Sequence, residues 1–158
     1  MTPPYRVGDE LPPLEIPVTR TLIVAGAIAS RDYQDVHHDA ASAREKGSPD
    51  IFMNILTTNG LVGRYITDHF GPTAVLRKVA IRLGAPNYPG DVLRLTGRII
   101  ELRTADTSSA DASSDEVVDA VEAIEAVVQV TGGNGIGRHV TGTVAVTLPE
   151  PSVKRAGA

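Results

Sequence analysis

The sequence predicts an α+β domain in which one long buried helix is covered by antiparallel strands. Two periodicities carry that expectation. After Ser48-Pro49-Asp50, the residues Ile51, Ile55, Val62, Ile66 and Phe70 recur at steps that keep them on one face of a helix. Beyond Lys78 the period changes to two: Val79, Ile81 and Leu83, then Leu93 and Leu95, then Val144, Val146 and Leu148 alternate with polar or small residues, as half-buried strands do.

The first segment, to about Pro17, is punctuated by Pro3, Pro4, Pro12, Pro13 and Pro17 and is expected to run along the surface as extended chain. Thr19 to Ala29 is rich in β-branched and small residues and reads as a strand or a strand-to-helix entry. Ser30 to Glu45 is polar, with a short helix expected over Asp39 to Glu45. Ser48-Pro49-Asp50 has the chemistry of a helix start: a capping hydroxyl, a proline suited to the first helical position and a carboxylate at the positive end of the dipole. The helix from there to Gly71-Pro72 would be about twenty residues, roughly 30 Å long. Asn87-Tyr88-Pro89-Gly90-Asp91 is expected as a turn, and Gly132 to Gly137 as another. Ile124 to Val130 should be a further strand, giving about four after the helix. Thr104 to Asp115 is low in complexity and acidic. All 158 residues are expected to form one domain with a flexible insertion at about 104–122.

Composition narrows the function classes. Apolar residues are 42% of the chain but aromatics only 4%, so the core must be packed with Val, Ile, Leu and Ala. A net charge of −4 argues against a nucleic-acid partner. There is no cysteine, which excludes disulfides, thiolate metal sites and a Cys nucleophile. Leu22 to Ala29 is far too short to span a membrane, and no apolar run of signal-peptide length opens the chain. A soluble cytoplasmic protein is the expectation.

Chemistry concentrates in Ser30-Arg31-Asp32-Tyr33-Gln34-Asp35-Val36-His37-His38-Asp39. Three carboxylates and two imidazoles stand together in a chain with 4 His in all. An Asp and a His converging on one water molecule can supply acid and base, and backbone N–H groups at the start of the following helix can hold a developing oxyanion. The residues alone leave a second reading open, a solvated charged loop. His37, His38 and Asp39 are sequential, so their side chains diverge, and their spacing matches no familiar zinc or iron signature; no metal is expected.

This stretch resembles the MaoC-like (R)-specific enoyl-CoA hydratase pattern, Ser-Gly-Asp-x-Asn-Pro-aliphatic-His followed by Asp and a small residue. The Asp-to-His step is kept from Asp32 to His37, with Asp39 and Ala43 after it. Arg31, Gln34 and Asp35 replace the family's Gly, Asn and Pro, positions that shape the loop. The Tyr88-Pro89-Gly90-Asp91 turn resembles the family's Pro-Gly-Asp turn. Most of the chain, through Asp50 to Thr57, Gly60 to Tyr65, Thr67-Asp68, Gly71-Pro72 and Ile81 to Gly84, resembles the small subunit of steroid side-chain enoyl-CoA hydratases.

The resemblance implies a hot-dog fold, a long helix wrapped by an antiparallel sheet. It implies hydration of an α,β-unsaturated acyl-CoA, a steroid-CoA with a shortened side chain, using Asp32 and His37 and no cofactor. It implies a hetero-oligomer with a larger subunit carrying a degenerate hot-dog domain and an OB-like domain, and an aldolase that takes the product. A backbone N–H near the start of the long helix holds the thioester oxygen in the wider family; the corresponding position is Asn54. Two other readings remain: a hydratase or dehydratase of straight-chain (R)-3-hydroxyacyl thioesters, and a non-catalytic hot-dog scaffold.

Other residues have plainer expectations. Gly133-Asn134-Gly135-Ile136-Gly137 precedes a strand rather than a helix, so it reads as a hairpin turn and not a dinucleotide loop. His69 should stabilise the helix C-terminus. His139, beside Arg138, should lie at the surface. Arg77, Lys78 and Arg82 should form an exposed strand face, and Lys154 and Arg155 a solvated tail.

Overall fold

A computed structural model describes residues 5–105 and 123–149. Five strands form one antiparallel sheet: β1 (Glu10–Pro17), β2 (Val75–Leu83), β3 (Val92–Ala105), β4 (Ala123–Gly133) and β5 (Arg138–Pro149), in the order β1-β3-β4-β5-β2. Three α-helices precede β2: α1 (Arg20–Ala29), α2 (Ala40–Glu45) and α3 (Ile55–Phe70). The inward residues of the sheet, among them Leu93, Leu95, Ile99, Val128, Val130, Val144 and Val146, pack with Val62, Tyr65 and Ile66 of α3 in one core. This is the hot-dog arrangement. Burying a side chain such as Val62 or Ile66 is worth roughly 1.5–3 kcal/mol, so the α3–sheet contact contributes to the stability of the fold.

The alternating runs appear as strands, and α2 starts where expected, with Asp39 accepting from the N–H groups of Ala41 and Ser42. Gly71, at φ 91°, ends α3 in a conformation that glycine adopts without strain.

Four expectations change. The proline-rich first segment is not only surface chain: its second half is edge strand β1, paired with β3 and bulged between Leu11 and Leu14. An edge strand tolerates proline because one side of its backbone needs no donors. Thr19 to Ala29 is a helix rather than a strand. Thr19 caps it by accepting from Leu22 N–H at 3.0 Å, and Ile23 and Ala27, one turn apart, are its buried face.

The long helix begins at Ile55, not at Ser48-Pro49-Asp50, and has 16 residues. The polar groups of that tripeptide are spent elsewhere. Ser48 Oγ donates to the Asp50 carbonyl, and Asp50 accepts two bonds from Arg20 at 3.0 and 2.6 Å. Residues 51 to 53 form neither helix nor strand and are held by Phe52 N–H on the Val36 carbonyl and Met53 N–H on the Asn87 carbonyl. Ile55 accordingly points outward, 49% exposed, and the buried face of α3 is Thr58, Leu61, Val62, Tyr65 and Ile66. The fourth change is His139, which is buried in the core.

The expected insertion at 104–122, beyond its first two residues, and Lys154 and Arg155 lie outside the described residues.

Candidate active site

Asp32 owes its position to the end of α1. Arg31 N–H donates to the Ile28 carbonyl at 3.0 Å and Asp32 N–H to the Ala27 carbonyl at 2.9 Å, the paired bonds of a Schellman motif. That motif requires a left-handed residue, and Arg31 supplies it at φ 57°. The position is the one where the family pattern has glycine, so the departure stores strain beside the candidate base.

His37 sits at the end of a single 3-10 turn over Asp35–His37. Its ring is buried between the turn and the segment before α3. Nδ1 lies 2.7 Å from the Phe52 carbonyl, and the rings of His37 and Phe52 meet edge-on at 5.0 Å. A carbonyl can only accept, so Nδ1 carries a proton. In the neutral ring Nε2 therefore presents its lone pair, and it faces Asp32 Oδ2 at 3.4 Å. Phe52 in turn meets Tyr88 edge-on, which gives the site an aromatic wall in a chain with 2 Phe and 4 Tyr.

Asn54 joins the two. It is the N-cap of α3: Oδ1 accepts from Thr57 N–H at 2.9 Å. Its Nδ2 lies 3.0 Å from Asp32 Oδ2 and 3.0 Å from Ser30 Oγ. The Asn54 amide is the largest influence holding the Asp32 carboxyl below the usual carboxylate range, against a partial burial that works the other way. Thr58 N–H donates to the Asn54 carbonyl. No acceptor among the described residues takes the N–H groups of Asn54, Ile55 or Leu56, which leaves the first turn of α3 with donors to offer.

The rest of the charged cluster is divided off. Asp35 accepts from Lys46 Nζ and Ser42 Oγ, both at 3.0 Å, Asp39 caps α2, and His38 lies exposed with Nε2 3.3 Å from the Tyr33 carbonyl. Of the three carboxylates and two imidazoles only Asp32 and His37 converge. Among the described residues no group of three or more His, Asp or Glu is placed to hold a metal ion. No helix among them is long and apolar enough to cross a membrane.

His139 was missed by sequence reasoning. Next to Arg138 on a strand it points to the opposite face, into the core, with Nδ1 2.7 Å from the Ala85 carbonyl and Nε2 2.9 Å from Thr58 Oγ1. His69 stands in the last turn of α3 but packs edge-on against Phe70, and burial pulls its pKa down, so it stays uncharged at neutral pH and adds nothing to the helix end by charge. Arg77, Lys78 and Arg82 are exposed on β2, Arg77 donating to Thr147 Oγ1. Asn134 makes a turn of the glycine-rich segment, accepting from the N–H groups of Ile136 and Gly137. A cleft of about 540 Å³ opens on the outer side of β3 and the β4–β5 turn; neither Asp32 nor His37 lines it.

No protein-family model matches the chain. It is 40% identical over 142 residues, 90% of this chain and 95% of the other, to the 3-oxo-4,17-pregnadiene-20-carboxyl-CoA hydratase beta subunit of Mycobacterium tuberculosis. Its structure matches a chain of the ChsH1–ChsH2 complex from the same organism, with a TM-score of 0.74 and 40% identity over 94% of this chain and 99% of that one. An (R)-hydratase from A. caviae, involved in PHA biosynthesis, shares the fold at a TM-score of 0.73, with 18% identity over 92% of this chain and 98% of that one.

Proposed function

Because this chain belongs to the MaoC-like enoyl-CoA hydratases, in the branch of the steroid-CoA hydratase beta subunit, we propose that it is the catalytic subunit of a hetero-oligomeric hydratase acting on a steroid-CoA with a shortened, α,β-unsaturated side chain. The observation that carries the catalytic part is the apposition of Asp32 Oδ2 and His37 Nε2 at 3.4 Å as two acceptors. A water molecule has two hydrogens to give. Donating one to each acceptor turns its lone pair outward, toward a β carbon, and either acceptor can take a proton as the C–O bond forms. Asp32 is the general base in this reading, and His37 orients the water and shares the proton transfer. The pair then returns a proton to the α carbon, so water is added across the double bond with no net proton change.

The electrons that leave the double bond collect on the thioester oxygen. The unpaired N–H groups at the start of α3, that of Asn54 among them, lie at the positive end of a helix and are suited to hold that charge. The choice of substrate and partner rests on the 40% identity to a protein named for a steroid-CoA and on a matched chain from a two-component complex. The partner would close the pocket over the acyl group, in a cytoplasmic setting. The test is to co-express the chain with its larger partner and compare hydration of a steroid-enoyl-CoA with that of crotonyl-CoA. The reading expects turnover of the steroid ester by the complex; preference for crotonyl-CoA by the chain alone would replace it with a straight-chain hydratase.

A further inference from the structure

We propose that the Asn54 side chain is the positioning residue for Asp32, with helix capping and site organisation performed by one amide. The inference rests on Asp32 being the base. The carboxamide has one acceptor and two donor hydrogens, and all are used. Oδ1 takes Thr57 N–H at 2.9 Å, and Nδ2 gives to Ser30 Oγ and to Asp32 Oδ2, each at 3.0 Å. Flipping the amide would set an oxygen against two oxygens and an NH2 against an N–H, so its orientation is determined by its partners. Asn54 is only 2% exposed, so these bonds are made away from bulk water, where breaking one leaves a polar group unsatisfied.

What the bonds join is informative. Ser30 Oγ donates onward to the Gly26 carbonyl at 2.7 Å, in the last turn of α1. Thr57 N–H belongs to the first turn of α3. The amide therefore ties the end of α1, which carries Asp32, to the start of α3, which carries the free backbone donors. Base and candidate oxyanion donors are registered to each other through a single side chain. The atom held is Oδ2, the same oxygen that faces His37 Nε2. Among the described residues the second carboxylate oxygen receives only the Gln34 N–H, at 3.4 Å. Without Asn54, rotation of the Asp32 carboxylate about its χ2 has little to resist it.

Capping and positioning separate by substitution. Asp and Ser cap helices about as well as Asn, but neither can donate from this place to Asp32 in the same way: Asn54→Asp puts a second carboxylate beside the first, and Asn54→Ser falls short. Both variants in complex with the partner, together with Asp32→Asn, should be assayed for hydration across pH and for thermal unfolding. Positioning predicts, in the folded complexes, a lower melting temperature for both variants because Ser30 Oγ and Asp32 Oδ2 lose a buried donor, kcat reduced about 10- to 100-fold at a temperature where both stay folded, and for Asn54→Asp an acid limb of kcat/KM moved to higher pH. Wild-type kcat and an unmoved acid limb in both folded variants would overturn the inference while an inactive Asp32→Asn left the general base in place. An active Asp32→Asn would instead remove the base reading itself.

Discussion

Asp32 Oδ2 and His37 Nε2 stand 3.4 Å apart, and His37 Nδ1 donates to the Phe52 carbonyl, so the neutral ring turns the lone pair of Nε2 toward the carboxylate. The pair is therefore set to receive protons. Asp32 is kept ionised, chiefly by the Asn54 amide. Its folded-state pKa lies below its unfolded value, about 3.9, so the unfolded chain binds this proton more readily. The stability it contributes is present above that unfolded value and lost as pH falls through the folded one. Urea unfolding of wild type and Asp32→Asn at several values between pH 7 and pH 3 should show wild type losing more stability on acidification. Equal losses would mean that the carboxylate is not held.

Arg31 is the strained residue of the loop. At φ 57° it occupies the left-handed region, which costs a non-glycine residue roughly 1–2 kcal/mol. Arg31→Gly should keep the Schellman bonds and the placement of Asp32. It should stabilise the chain by about 0.5–1 kcal/mol, after the loss to unfolded-state freedom, with kcat near wild type. Denaturant midpoints and initial rates check both; destabilisation would show that the Arg31 side chain does more than occupy the turn.

Close helix contact holds the base and the α3 donors together. A Cβ at Gly26 would run into the Thr57 side chain, whose Oγ1 is buried there without a hydrogen-bond partner. Gly26→Ala should push α1 from the first turn of α3, lowering stability by about 1–3 kcal/mol and reducing activity with it. Thr57→Ala added to Gly26→Ala removes the obstructing atoms, and the double variant should recover most of both. Additive losses would place the constraint elsewhere.

Buried His139 gives the fold its own pH dependence. Burial holds its pKa down, with the Ala85 carbonyl and the charge of Asp91 opposing. A neutral ring donates from Nδ1 to the Ala85 carbonyl and accepts from Thr58 at Nε2. The unfolded chain takes up this proton near pH 6.5 and the folded chain only at lower pH, so stability falls as pH drops below about 6.5. His139→Gln should flatten the difference in melting temperature between pH 7 and pH 5.5. His139→Ala, which takes the donor from the Ala85 carbonyl and leaves a cavity behind, should cost about 2–4 kcal/mol in urea unfolding at pH 7.

Much of this was legible in the chain because it depends on local pattern. Leu93, Leu95, Val144, Val146 and Leu148 alternate, and each is buried on a strand. Gly71 stops α3, Asp39 starts α2, and Asp32 and His37 converge at the spacing that marked them out. What escaped depends on partners distant in sequence. Ser48-Pro49-Asp50 has the right residues for a helix start, but Arg20 claims Asp50, and Asn54 caps instead. Thr19 to Ala29 has strand-like composition, yet a capping Thr19 and a buried Ile23/Ala27 face make it a helix. The role of the Asn54 side chain is invisible until α1 and α3 are brought together, since its partners Ser30 and Asp32 lie 24 and 22 residues away. His139 looked solvated beside Arg138 because nothing local announces Thr58 and Ala85 as its neighbours.

The central claim, that Asp32 and His37 act together on water, is tested most directly by hydration kinetics of Asp32→Asn and His37→Ala, each purified in complex with the partner subunit. The predicted result is a loss in kcat of at least about 100-fold for each variant, with the complex intact, and a double variant little worse than the poorer single one, because the two groups serve one water. Near-normal hydration by both folded single variants would contradict it.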